Sequence, residues 1–96
     1  KDRPALFFLG GKEAFDQKHI PGARRLDPGA VDAYFAGKDK GREWIFYCAC
    51  AHDPLGLSGR AAAELYMKGF KRAAYLRGQL QGWEKLGYPL EGRKVR

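Results

Sequence analysis

Trp44-Ile-Phe-Tyr-Cys48-Ala-Cys50-Ala-His-Asp-Pro-Leu-Gly-Leu-Ser58 is the stretch on which the fold turns. Its first residues are aromatic and β-branched, and the run is continuous enough to be buried on both faces, which predicts an interior strand ending at Cys48. Pro54 and Gly56 then mark a loop, and Ser58 is an expected N-cap for a helix. That helix would turn Ala61, Ala62, Leu65 and Tyr66 inward and stop at Gly69. Ala73-Ala-Tyr-Leu76 reads as the next strand, so the stretch opens a βαβ unit.

The same alternation continues outward. Ala5-Leu-Phe-Phe-Leu9 is a short apolar run closed by Gly10-Gly11, as a buried strand would be. Lys12 to Lys18 predicts a short helix, broken by Pro21 and Gly22 within His19-Ile-Pro-Gly-Ala23. Asp27-Pro28 signals a helix start, with Val31, Tyr34 and Phe35 inward and Gly37 as the stop. Gly78 opens a last helix carrying Leu80, Trp83 and Leu86 inward to Gly87, and residues 88–96 read as a loose basic tail. Strands alternating with helices imply an α/β fold with a central parallel sheet. Ligands of such sheets gather at the carboxyl ends of the strands, and Cys48 stands at one of them.

Composition narrows the function classes. A length of 96 residues bounds the chain to one domain, 1–96. Hydrophobic residues at 45% and charged ones at 30% exclude wholesale disorder. No apolar run approaches the roughly 18 residues of a membrane span. Lys1-Asp-Arg-Pro4 lacks a signal-peptide pattern, which leaves cytoplasm and periplasm equally open. Eighteen Lys and Arg against eleven Asp and Glu give a net charge of +7, which favours anionic partners. The basic residues are dispersed and not interleaved with aromatics, so nucleic acid is not expected, nor is a membrane surface.

Cys48 and Cys50 are too close in sequence for an unstrained disulfide, so the pair is read as local chemistry. A cysteine between a strand end and a helix N-terminus faces loop N–H groups and the positive end of the helix dipole, which favour thiolate over thiol. The competing reading is a small buried hydrophobe at a strand end. Cys48-Ala-Cys50-Ala-His52 could offer three metal ligands, but only Asp53 is near as a fourth, so a metal or redox site there is the weaker alternative and no metal and no cofactor are expected. Arg60 follows Cys50 by nine intervening residues and Cys48 by eleven, which does not fit a cysteine-phosphatase signature. An exposed helix arginine is the simpler reading.

Four segments in order resemble the rhodanese family. They are His19-Ile-Pro-Gly-Ala23, the strand ending Tyr47-Cys48, the helix from Ser58 through Gly69-Phe70, and Gly78-Gln-Leu-Gln-Gly-Trp83 before Gly87-Tyr-Pro89. The resemblance implies a three-layer rhodanese-like fold and a sulfurtransferase. Its cysteine would take sulfane sulfur from a small anionic donor such as thiosulfate and pass it to cyanide or a thiol; a protein partner is a further expectation. By position Cys48 matches the family's catalytic cysteine, with Cys50 as the alternative nucleophile or a resolving thiol. Ala49, Cys50, Ala51, His52 and Asp53, with Leu57, Ser58 and Arg60, would form the substrate cradle. His19 would be structural.

Departures from the family accompany the likeness. Nine residues separate Cys48 from Ser58, and seven separate Cys50 from Ser58, a longer loop than is usual. Phe8-Leu-Gly10 stands where the family has Asp-X-Arg, and the family's first strand and helix have no counterpart in the chain. These changes favour the rival expectation of a non-catalytic binding or regulatory module.

Overall fold

The computed structural model describes residues 5–48, 56–76 and 78–93. Strands β1 (Ala5–Leu9), β2 (Arg24–Leu26), β3 (Trp44–Tyr47) and β4 (Ala73–Tyr75) form one parallel sheet in the order β2-β1-β3-β4. Helices α1 (Lys12–Gln17), α2 (Val31–Phe35), α3 (Gly56–Met67) and α4 (Gln79–Lys85) complete the unit. The chain first steps from β1 to β2, then crosses to the other side of β1 to lay down β3 and β4. Right-handed crossovers therefore divide the helices between the two faces of the sheet.

The continuous apolar runs follow from this burial on both sides. Phe7 and Leu9 of β1 and Trp44 and Phe46 of β3 face one core with Val31, Phe35, Ala61, Ala62, Leu65 and Phe70. Phe8 and Tyr47 face the other, with Ile20 and Leu80 buried beside them and Phe15 and Trp83 packed at its margin. The side-chain period of two splits each run between two cores. Aromatic rings dominate the first: Phe35 meets Phe7, Tyr34, Trp44, Phe46 and Phe70 at centroid separations of 4.9 to 5.9 Å.

Several expectations need adjustment. Arg24–Leu26 is a strand that the sequence pattern does not reveal, since two of its three residues are exposed arginines on a sheet edge. Asp27 caps as expected, its carboxylate accepting from the Gly29 N–H at 2.9 Å, but it opens a short 3-10 turn, Pro28–Ala30, before α2 begins. Tyr66 and Leu86 point outward and are largely exposed. Residues 88–93 are not loose: Glu91 and His19 exchange backbone hydrogen bonds at 2.8 and 2.9 Å, and the Arg93 N–H donates to the Asp16 carbonyl. Gly92 makes that approach feasible, because a Cβ there would lie 2.5 Å from the Gln17 carbonyl oxygen.

Candidate active site

Strand order reverses between β1 and β3, so the crevice beyond their carboxyl ends is where this topology places a ligand. Cys48 follows the last residue of β3 at that edge and is buried, with 1% exposure. Its carbonyl accepts from the Leu80 N–H at 3.2 Å, and its own N–H donates to the Gln79 side-chain oxygen at 2.9 Å. The same oxygen accepts the Ser58 hydroxyl at 2.8 Å. One buried amide thus ties the backbone of Cys48 to the first turn of α3.

Gln79 holds this place at a conformational cost. It follows Gly78, which is left-handed at φ +82°, and is itself left-handed at φ +55°, the only described non-glycine residue with positive φ. That conformation costs a side-chain-bearing residue about 1–2 kcal/mol. Glycine would fit the backbone without strain, but it could not supply the oxygen. Nothing in the sequence pattern singles out Gln79, because its partners lie 31 and 21 residues away.

The remaining predicted site residues divide sharply. Ser58 is not the N-cap of α3, which starts two residues earlier at Gly56. Its buried hydroxyl is committed to Gln79 rather than turned toward a ligand. Leu57 and Arg60 are exposed on the same first turns. Ala49, Cys50, Ala51, His52 and Asp53 lie outside the described residues, so the Cys50 alternative and the Cys-X-Cys-X-His arrangement do too.

Neighbouring groups tie down the carboxyl ends of β1 and β3. Where Asp-X-Arg is absent, the Gly10 carbonyl at the end of β1 accepts from the Arg25 guanidinium at 3.1 Å. The Tyr47 hydroxyl, on the opposite face from the aromatic core, accepts the Ile20 N–H at 3.0 Å. Burial pushes the Tyr47 phenol up to about 12 against a small opposing effect of that N–H. The unfolded chain ionises this group from its ordinary value of 10.0 upward while the folded chain keeps it neutral. Stability is therefore intact below that pH and is lost as pH rises toward the folded value. Urea titrations on either side of it should show the decline, and Tyr47→Phe should flatten it.

His19 is built into the frame. Its Nδ1 donates to the Phe15 carbonyl at 2.7 Å, its ring stacks on Phe15 at 3.8 Å, and Nε2 stands 3.1 Å from the Glu91 carboxylate. These contacts secure the turn that carries Ile20 to Tyr47.

A family model for the Rhodanese-like domain matches residues 10–86. The chain belongs to the rhodanese-like domain family. Solved structures agree in fold. The rhodanese-like domain of the Alr3790 protein from Anabaena sp. superposes with a TM-score of 0.76 at 25% identity, over 92% of this chain and 86% of its own. The BH2092 protein from Bacillus halodurans gives 0.76 at 25% identity, over 96% of this chain and 68% of its own. A thiosulfate sulfurtransferase from Pseudomonas aeruginosa gives 0.76 at 26% identity, over 95% of this chain but only 17% of its own. No curated protein matches the sequence at a significant level. The four-stranded parallel sheet flanked by helices is the rhodanese-like fold that the sequence motifs imply.

Proposed function

We propose that this rhodanese-like domain is a sulfurtransferase working through a persulfide on Cys48. The observation that carries the proposal is the Gln79 clamp, which holds the backbone of a strand-terminal cysteine beside the first turn of a twelve-residue helix. The positive end of that helix favours negative charge on a neighbouring sulfur or oxyanion. Family membership and the likeness to a thiosulfate sulfurtransferase support the same chemistry.

In the first step the Cys48 thiolate attacks the outer, sulfane sulfur of thiosulfate. A sulfur–sulfur bond forms to Cys48 as the sulfur–sulfur bond of thiosulfate breaks, and sulfite leaves with the electron pair. In the second step cyanide or a thiolate attacks the outer persulfide sulfur and Cys48 departs as thiolate. No external oxidant or base is needed once the cysteine is ionised. Incubation with thiosulfate should add the mass of one sulfur atom to the chain, and cyanide should remove it. A chain that gains no sulfur would be a binding module, and the proposal would fail.

Gln79→Gly separates the roles of the clamp. Glycine relieves the left-handed strain of about 1–2 kcal/mol, while the lost amide oxygen leaves buried donors that cost about 1–3 kcal/mol. The melting temperature should therefore change little, whereas sulfur loading should slow by about tenfold as Cys48 loses its registration with α3. Gln79→Ala keeps the strain and loses the clamp, so it should melt below the glycine variant. Wild-type loading in Gln79→Gly would show the amide to be structural only.

A further inference from the structure

We propose that the edge of the sheet opposite Cys48 carries a second site, a cationic cleft that binds a small polyanion such as a diphosphate. The cleft occupies about 560 Å³ at the amino-terminal ends of the strands, where Ala5 begins β1, Arg24 begins β2 and Trp44 begins β3. That volume is typical of small-ligand sites, which span roughly 300–1,000 Å³.

Three cations line it: Arg24, Lys38 and Arg42. Several other basic groups pair with carboxylates: Lys18 with Glu84, Lys68 with Asp32, Arg72 with Glu43 and Arg93 with Glu13. The three cations of the cleft have no carboxylate partner among the described residues. Asp39 is the acidic residue in the lining, and its carboxylate accepts the Gly41 N–H at 2.8 Å. The nearby Glu43 is engaged by Arg72. A local excess of two positive charges (three cations less Asp39) is thus left facing one concavity.

Two of the cations are also held in place. The Lys38 ammonium sits 4.6 Å from the Tyr34 ring centroid and the Arg42 guanidinium 4.9 Å from that of Trp44. The Trp44 indole is fixed in turn by donating to the Asp39 carbonyl at 2.9 Å. Cations braced on aromatic walls lose less side-chain freedom on binding than free lysines do, and an arginine fork suits phosphate oxygens. A concave cleft with a few converging charges fits a compact polyanion better than an extended nucleic acid or acidic peptide, which would need a longer cationic track.

The Trp44 indole N–H is a built-in reporter, read as its cross-peak in a proton–nitrogen correlation spectrum of the full chain. Titration with inorganic pyrophosphate at about 0.15 M salt should move that peak saturably. Binding should exceed that of orthophosphate by about tenfold, since a diphosphate brings more negative charge and more acceptor oxygens to the three cations. Arg24→Gln and Arg42→Gln should each weaken pyrophosphate by about tenfold and leave sulfur loading of Cys48 unchanged. No saturable shift, equal affinity for the two phosphates, or unchanged binding in both variants would overturn the proposal. Tighter binding of a single-stranded oligonucleotide or of polyglutamate through the same residues would overturn the small-ligand assignment.

Discussion

Cys48→Ser should leave a folded chain that takes no sulfur from thiosulfate, with turnover to cyanide reduced on the order of 10³-fold or more. Serine replaces a buried thiol by a slightly smaller hydroxyl, so the cost to folding stays near the 1–3 kcal/mol of an imperfectly satisfied polar group. The loss is chemical: a hydroxyl neither ionises near neutrality nor forms a persulfide. Cys50→Ser is the informative companion. Cys48 is placed by a strand end, by the Leu80 N–H and by the Gln79 amide, so sulfur loading should survive loss of Cys50. Loading that persists in Cys48→Ser and vanishes in Cys50→Ser would transfer the nucleophile to Cys50. Peptide mapping of the loaded chain gives the same answer without a variant.

Phe35→Ala should have the largest effect on stability. Phe35 is 2% exposed and meets five aromatic rings drawn from β1, α2, β3 and the turn after α3. Removing a buried phenylalanine side chain costs about 3–5 kcal/mol, against total stabilities of about 5–15 kcal/mol for domains generally. For a chain of this size the melting temperature should fall by roughly 12 °C or more. Helix α2 has only five residues and no side-chain cap, so it depends on this anchor rather than on its own propensity. Phe35→Leu retains most of the volume and should recover the greater part of the loss. Equal melting of the alanine variant and the wild type would mean that the aromatic cluster is not the main core.

Local pattern encodes part of this fold. The run Trp44–Tyr47 declared an interior strand because both its faces are covered, and that in turn placed Cys48 at the carboxyl edge. Arg24–Leu26 is not legible in the sequence because an edge strand of three residues, two of them solvated arginines, carries no hydrophobic period. The reading of Ser58 as an N-cap relied on residue preference alone, and the hydroxyl is diverted to a tertiary partner. Gln79 and the Glu91 bridge to His19 were beyond local reading for the same reason: each depends on contacts across long stretches of chain. The charge surplus was visible as a total, but its distribution was not. Folding gathers three of the basic side chains, Arg24, Lys38 and Arg42, around one concavity at the edge away from Cys48.

The position of Gln79 also bears on the order of assembly. Its amide comes from a residue beyond β4, after all four strands have been laid down. During synthesis from the amino terminus the sheet has every strand before the piece that registers Cys48 with α3 emerges. Nascent chains halted before Gly78 could therefore pair β1, β3 and β4 while their cysteine remained uncoupled from the helix. The site therefore matures after the sheet and its aromatic core, together with the second core that Leu80 and Trp83 complete.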